Sequence, residues 1–299
     1  MSDIILSAKG LSKRYGSLLA LTDFGLELKS GQVYGVLGPN GSGKTTALGI
    51  LLGTLSKNSG EYSWFGQAEN DPKQRRKIGA MLEAPSFNPN LSGVNNLKIV
   101  ADIKSLPYSE VLRVLGIVGL GDWGDKAFGL YSLGMKQRLA LAVALLGSPE
   151  VLILDEPTNG LDPTGIAEVR DIIKSVSETG VTILLASHLL DEVQKVCTHT
   201  LVLSKGQTLY SGTVEGMLGD EIWIETKTSD EAELINLAKK FPAVNKVKRE
   251  GGFVMISISD ETYVKDFSVE MAKQGVVFTH FNVKKGSLEE QFLKLLKNK

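Results

Sequence analysis

Gly38-Pro39-Asn40-Gly41-Ser42-Gly43-Lys44-Thr45-Thr46 joins one apolar run, Val33 to Leu37, to another, Ala47 to Leu52. The first reads as a buried strand and the second as a helix. The glycines let the backbone fold tightly enough for successive N–H groups to converge on one anion, and the helix turns its positive end toward the same point. The pattern predicts a bound nucleoside triphosphate, with Lys44 bridging the β- and γ-phosphates and the Thr45 hydroxyl on Mg²⁺. An empty glycine-rich turn is the plainer alternative, and the strand before it and the helix after it argue against that.

The chain has 299 residues, 42% of them hydrophobic, and a formal net charge of −1. It can therefore bury one large core or two modest ones, and two globular domains are expected. Its longest apolar runs, Leu139 to Leu146 and Val181 to Ala186, fall well short of the roughly 18 residues that would point to a membrane span. Met1-Ser2-Asp3 opens with neither a basic segment nor an apolar signal core, so the expectation is a cytosolic protein. The near-neutral charge offers no footprint for nucleic acid. The basic patch Lys73 to Lys77 is most simply a solvated turn before the strand Ile78 to Leu82, although it could touch lipid headgroups or a partner. With a single cysteine, Cys197, no internal disulfide forms. Cys197 lies close to His199, which could mean a metal site, but a small core-facing residue at an element boundary is the simpler reading.

A second half of the nucleotide site is expected at Val151-Leu152-Ile153-Leu154-Asp155-Glu156-Pro157, an apolar strand ending in carboxylates. Asp155 is placed to hold Mg²⁺ through water, and Glu156 to polarise an attacking water as general base. Between the two halves stands Tyr131-Ser132-Leu133-Gly134-Met135-Lys136-Gln137-Arg138. Ser132 reads as a helix cap there, and the helix N-terminus after Gly134 can face a phosphate. Alone, this is also the pattern of an ordinary buried helix.

In this order and position, the segment resembles the signature motif of ATP-binding cassette (ABC) ATPases. The remaining motifs follow the same family: Asn159-Gly160-Leu161-Asp162 is similar to the D-loop, Ser187-His188 to the switch histidine, and Tyr15 to the aromatic that stacks on adenine. The resemblance covers about residues 4 to 215. It implies that Gly38, Pro39, Asn40, Gly41, Ser42, Gly43, Lys44, Thr45 and Thr46 hold ATP, that Glu156 and His188 are catalytic, and that Asp155 and Thr45 hold Mg²⁺. It further implies a head-to-tail dimer in which Ser132, Gly134 and Gln137 act on the partner's nucleotide while Asp162 serves the D-loop. Two positions depart from the family. Leu133 stands where a second glycine is usual, and the glutamine of the Q-loop is replaced by Glu83, as in exporter branches that include bacitracin-resistance and lantibiotic-immunity ATPases.

The fold expected is an α/β P-loop core at residues 1–215, with an antiparallel β subdomain and a helical subdomain at about 91–147. After it, residues 216–299 alternate as βαββαβ and a final helix opened by Ser287-Leu288-Glu289-Glu290, a small α+β, ferredoxin-like domain suited to interaction or regulation. The resemblance implies the ATPase subunit of a bacterial type-2 exporter. It would bind ATP and Mg²⁺ and pair as a homodimer or with a related ABC subunit. It would sit peripherally at the inner face of the cell membrane through a separate permease. A soluble ABC ATPase of cofactor assembly is the alternative, and a nucleotide-binding module without turnover a third, disfavoured by Glu156 and His188.

Overall fold

The computed structural model describes residues 3–69, 71–82, 87–218, 222–285 and 288–297. Two compact units divide the chain, Met1–Gly212 and Thr213–Lys299. Elements of the first unit are, in order, β1 (Ile4–Tyr15), β2 (Leu18–Lys29), β3 (Val33–Leu37), α1 (Lys44–Leu51), β4 (Ser59–Trp64), β5 (Gln67–Ala68), α2 (Pro72–Arg75), β6 (Ile78–Met81), α3 (Gly93–Ile103), α4 (Ser109–Ile117) and α5 (Leu133–Leu145). They continue with β7 (Val151–Asp155), α6 (Pro163–Glu178), β8 (Thr182–Ser187), α7 (Leu190–Val196), β9 (His199–Ser204) and β10 (Gln207–Thr213).

A six-stranded sheet in the order β10-β9-β3-β8-β7-β6 forms the centre, with β3, β6, β7, β8 and β9 paired in parallel. Strands such as β3 and β7 are buried at every residue, which is why they read as unbroken apolar runs rather than alternations. A second sheet, β2-β1-β4-β5, is antiparallel. Leu6, Leu11, Leu21, Phe24 and Leu28 from it share one core with Val36, Ile153 and Leu184 of the parallel sheet. The helical region α3–α5 is centred on α5, which starts six residues before the apolar run because Ser132 caps it, accepting from Met135 N at 3.2 Å.

The second unit contains α8 (Val214–Leu218), β11 (Ile222–Thr228), α9 (Glu231–Ala238), β12 (Val244–Glu250), β13 (Phe253–Ile258), α10 (Thr262–Lys273), β14 (Phe278–Lys285) and α11 (Leu288–Lys297). Its sheet runs β12-β13-β11-β14, antiparallel throughout, the strand order of a ferredoxin-like fold. Gly251 and Gly252, both at positive φ, make the two-residue turn between Glu250 and Phe253. Ile224, Leu234, Ile256 and Phe267 form its core. Val276 gives its amide to Met271 O to close α10, so β14 opens at Phe278. The expected cap Ser287 lies outside the described residues.

Candidate functional site

The parallel sheet brings Lys44, Glu156 and His188 to one end. Strand β8 lies between β3 and β7, so the loop after β3, the end of β7 and the end of β8 stand side by side at the carboxyl edge, where open α/β sheets keep their ligands. Lys44, the first residue of α1, places its ammonium 2.7 Å from Gly38 O and 3.3 Å from Glu156 Oε1. The latter is an ion pair without hydrogen-bond geometry. Glu156 Oε2 meets His188 Nδ1 at 2.7 Å and accepts from His188 N at 3.3 Å. Glu156 itself sits at φ 48, uncommon for a non-glycine residue, and is fixed there by its N–H donating to Ala186 O at 2.9 Å. Asp155, one residue earlier, is buried at the end of β7.

The loop Gly38–Thr46 is shaped by its neighbours as much as by its own residues. Gly43 caps α1 at φ 108, and a Cβ there would come within 2.7 Å of Ala20 O. The helix therefore begins at Lys44, three residues before the sequence predicts. Ser42 is buried with its Oγ unpartnered, and its carbonyl accepts from Gly206 N at 2.9 Å. The Lys205-Gly206 turn between β9 and β10 thus buttresses the phosphate loop, and Lys205 lines the cleft in front of it. Only the Lys-Gly pair between two apolar strands hinted at this turn, and sequence reasoning passed over it.

That cleft, about 570 Å³, is lined by Tyr15, Leu18, Leu19, Ala20, Glu156, Lys205 and the residues Asn40 to Thr46. Tyr15 is exposed, with Lys13 Nζ 5.0 Å from its ring centroid. The exposed hydroxyl-bearing Thr45 and the carboxylate of Asp155 offer hard oxygen donors, a set that suits Mg²⁺. Among the described residues no group of three or more His, Cys, Asp or Glu forms, so a Mg²⁺ here would draw its other ligands from phosphate oxygens and water.

Ser132, Gly134, Gln137 and Asp162 are absent from the cleft's lining. Ser132 and Leu133 are exposed at the start of α5. Asp162 caps α6, accepting from Gly165 N at 2.8 Å ahead of Pro163, a structural duty that the sequence reading did not assign. Gln137 is buried on α5, on the same helix face as the buried Leu141. Glu83 lies outside the described residues. Cys197 is buried at the end of α7, and burial pushes its thiol pKa well up. His199 stacks on Tyr34 with 4.8 Å between ring centroids, its pKa lowered by burial and by Lys29. In the basic patch, Asp71 caps the short α2, and Lys77 pairs with Glu150 at 3.1 Å.

A phosphate-binding loop and an acidic strand end meeting at the edge of a parallel sheet define a P-loop nucleotide-hydrolysing protein. The ABC transporter family model matches residues 21–159. The lantibiotic transport ATP-binding protein SrtF of Streptococcus pyogenes is 40% identical over 212 residues, covering 71% of this chain and 92% of SrtF. The bacitracin transport ATP-binding protein BcrA of Bacillus licheniformis is 35% identical over 300 residues, 98% of this chain and 97% of BcrA. Among solved structures, CbiO1 of Clostridium perfringens, part of the ABC transporter complex cbiONQ, aligns with a TM-score of 0.65 at 27% identity, over 80% of this chain and 96% of CbiO1. The chain belongs to the ABC transporter ATP-binding family and is an ATP hydrolase. The relatives favour a transporter subunit over a soluble cofactor-assembly ATPase.

Proposed function

We propose that this chain is the ATPase subunit of a type-2 exporter, driving a separate membrane permease by ATP-dependent closure of two cassettes, with a peptide antibiotic of the bacitracin or lantibiotic kind as cargo. The observation that carries the catalytic part is the convergence of Lys44, Glu156 and His188. Glu156 takes a proton from water as its oxygen attacks the γ-phosphorus and the bond to the ADP oxygen breaks. Lys44 must first leave Glu156, because an arriving γ-phosphate repels the carboxylate and attracts the ammonium. His188 then holds Glu156 through Nδ1, Tyr15 stacks on adenine, and the amides of Gly38 to Thr46 hold the phosphates. Mg²⁺ on Thr45 and Asp155 would neutralise phosphate charge.

The cargo reading is supported by relatives named for lantibiotic and bacitracin transport, and the BcrA alignment runs through both units of the chain. Ser132 and Gly134, exposed and half-exposed outside the cleft, suit contact with nucleotide on a second cassette. Residues 213–299 serve as an interaction domain, and Glu83 answers to the permease. The experiment is purification of the full chain with Glu156→Gln, with and without ATP and Mg²⁺, on size exclusion and from detergent-solubilised membranes. An ATP-dependent dimer and co-purification with a membrane protein are expected. A monomer with saturating ATP overturns the paired-cassette reading, and recovery only from the soluble fraction overturns the permease.

A further inference from the structure

Leu133 stands at the start of α5, half-exposed, where the family uses glycine. Exposed leucines are common and need no explanation in themselves. This one is engaged: a Cβ placed on Gly160 would lie 3.3 Å from Leu133 Cδ2, so the leucine lies directly over that glycine. The converse approach is looser. A Cβ on Gly134 would lie 3.9 Å from Leu161 Cδ2, so each segment sets a leucine over the other's glycine.

The second segment begins at Glu156. Asn159 N donates to Glu156 O at 3.1 Å and Leu161 N to Thr158 O at 3.2 Å, which makes 156–161 a short hydrogen-bonded turn. Asp162 anchors its far end as the cap of α6. A second tie between the same helices is Arg138, whose guanidinium lies 3.5 Å from Glu168 on α6 while its Nη1 donates to Val118 O and Gly119 O. A turn held at both ends and covered in the middle transmits displacement of its cover to its first residue. Gly160 is at φ 77, which glycine adopts freely, and its missing side chain leaves the space that Leu133 fills.

We infer that Leu133 is a positioning residue for ATP hydrolysis: its contact with Gly160, paired with that of Leu161 on Gly134, fixes the turn from which Glu156 projects. The inference rests on Glu156 being the base. It explains how a leucine serves where a glycine is usual, through a contact made within one chain.

The test is steady-state ATPase kinetics of the full chain and of Leu133→Ala, Leu161→Ala, the double variant and Leu133→Met, with nucleotide affinity measured separately. Misplacing a base by a fraction of an ångström lowers kcat, so each alanine variant should lose about tenfold in kcat with KM and nucleotide affinity within about twofold. The double variant should be no worse than either single, since both leucines hold the same turn and loss of either releases it. Leu133→Met, which keeps length and apolar cover, should retain wild-type turnover. Leu161→Ala loosens the same turn through its approach to Gly134 and carries the test should Leu133→Ala not fold. Wild-type kcat in the foldable alanine variants, a change confined to KM, or multiplicative losses in the double variant overturn the inference. If Glu156→Gln turns over at the wild-type rate, the base reading falls and the inference with it. If Glu156→Gln is inactive while Leu133→Ala is wild-type, only the inference falls.

Discussion

The two units contain the same trio of side chains in different settings. In the first, Glu156 stands between Lys44 at 3.3 Å and His188 at 2.7 Å. In the second, Glu225 stands between Lys284 and His280, the latter at 2.9 Å. Glu225 lies mid-strand on β11, and its partners are diagonal neighbours on the antiparallel strand β14, whose Asn282 is directly opposite. Glu156 follows the end of a parallel strand, in the left-handed region, facing a cleft beside a phosphate loop. Residue types alone therefore do not make a catalytic group. Position at the carboxyl edge of a parallel sheet is what favours Glu156 for the proposed role, because three chain segments end there and leave room for a ligand. A ladder in mid-sheet has its backbone groups engaged and offers only a cross-strand ion pair.

The comparison breaks most easily at the carboxylates. Glu156→Gln keeps shape but removes the proposed base, and turnover should fall by about 10² or more while ATP still binds. Glu225→Gln should leave turnover within about twofold of wild type, as expected of a substitution away from the cleft. Phosphate release by the two variants, measured in parallel, checks both halves. Equal losses would show that the second unit takes part in catalysis.

A similar pairing exists among the aromatics. Lys13 sits 5.0 Å from the centroid of Tyr15, and Lys248 sits 4.6 Å from that of Trp223. Tyr15 is exposed at the cleft, whereas Trp223 is buried in the second unit. Tyr15→Ala should weaken ATP binding about tenfold, the scale of one lost base–aromatic stack. Trp223→Ala should lower the thermal midpoint and leave nucleotide affinity alone. Titration with a fluorescent ATP analogue separates the two. Deleting residues 213–299 should change affinity still less, within about threefold, since all the cleft residues precede the cut, a difference of well under 1.4 kcal/mol. A truncated chain that is soluble yet binds no nucleotide would show that the second unit shapes the cleft.

What was legible in the sequence is local. The loop Gly38–Thr46, the strand ending in Asp155-Glu156 and the Ser132 cap are each read from a few adjacent residues whose spacing serves one backbone shape. The ferredoxin-like order followed from alternating periods of two and 3.6 and from the Gly251-Gly252 turn. What was not legible depends on residues far apart. Nothing near Ser42 announces that Gly206 will hold its carbonyl, and nothing near Leu133 announces Gly160. For Gln137, a motif match gives the residue's type and place but not the face it takes on a helix buried nearly all round. At Asp162 the cap was legible but unread: Asp-Pro is a helix-start signal.

The smallest effect concerns Glu225 and pH. The hydrogen bond from Lys284 holds its carboxyl below the usual carboxylate range; burial opposes this, and His280 adds to it. A carboxyl with a folded pKa below its unfolded value, near 4.3, contributes stability above that value, and loses it as pH falls through the folded pKa. The β11–β14 pairing should therefore weaken as pH falls from about 5 toward 3, a window set by that reference value. Because Lys284 is exposed, salt should shrink the effect. Glu225→Gln has no proton to take up at this position, so its response to acid should be flatter than that of the wild type. Hydrogen-exchange mass spectrometry on peptides spanning residues 222–228, corrected for intrinsic exchange, reads the difference. Parallel pH profiles for the two proteins would mean that Glu225, for all its likeness to Glu156, is bound by its lysine and histidine no more tightly in the folded chain than in the unfolded one.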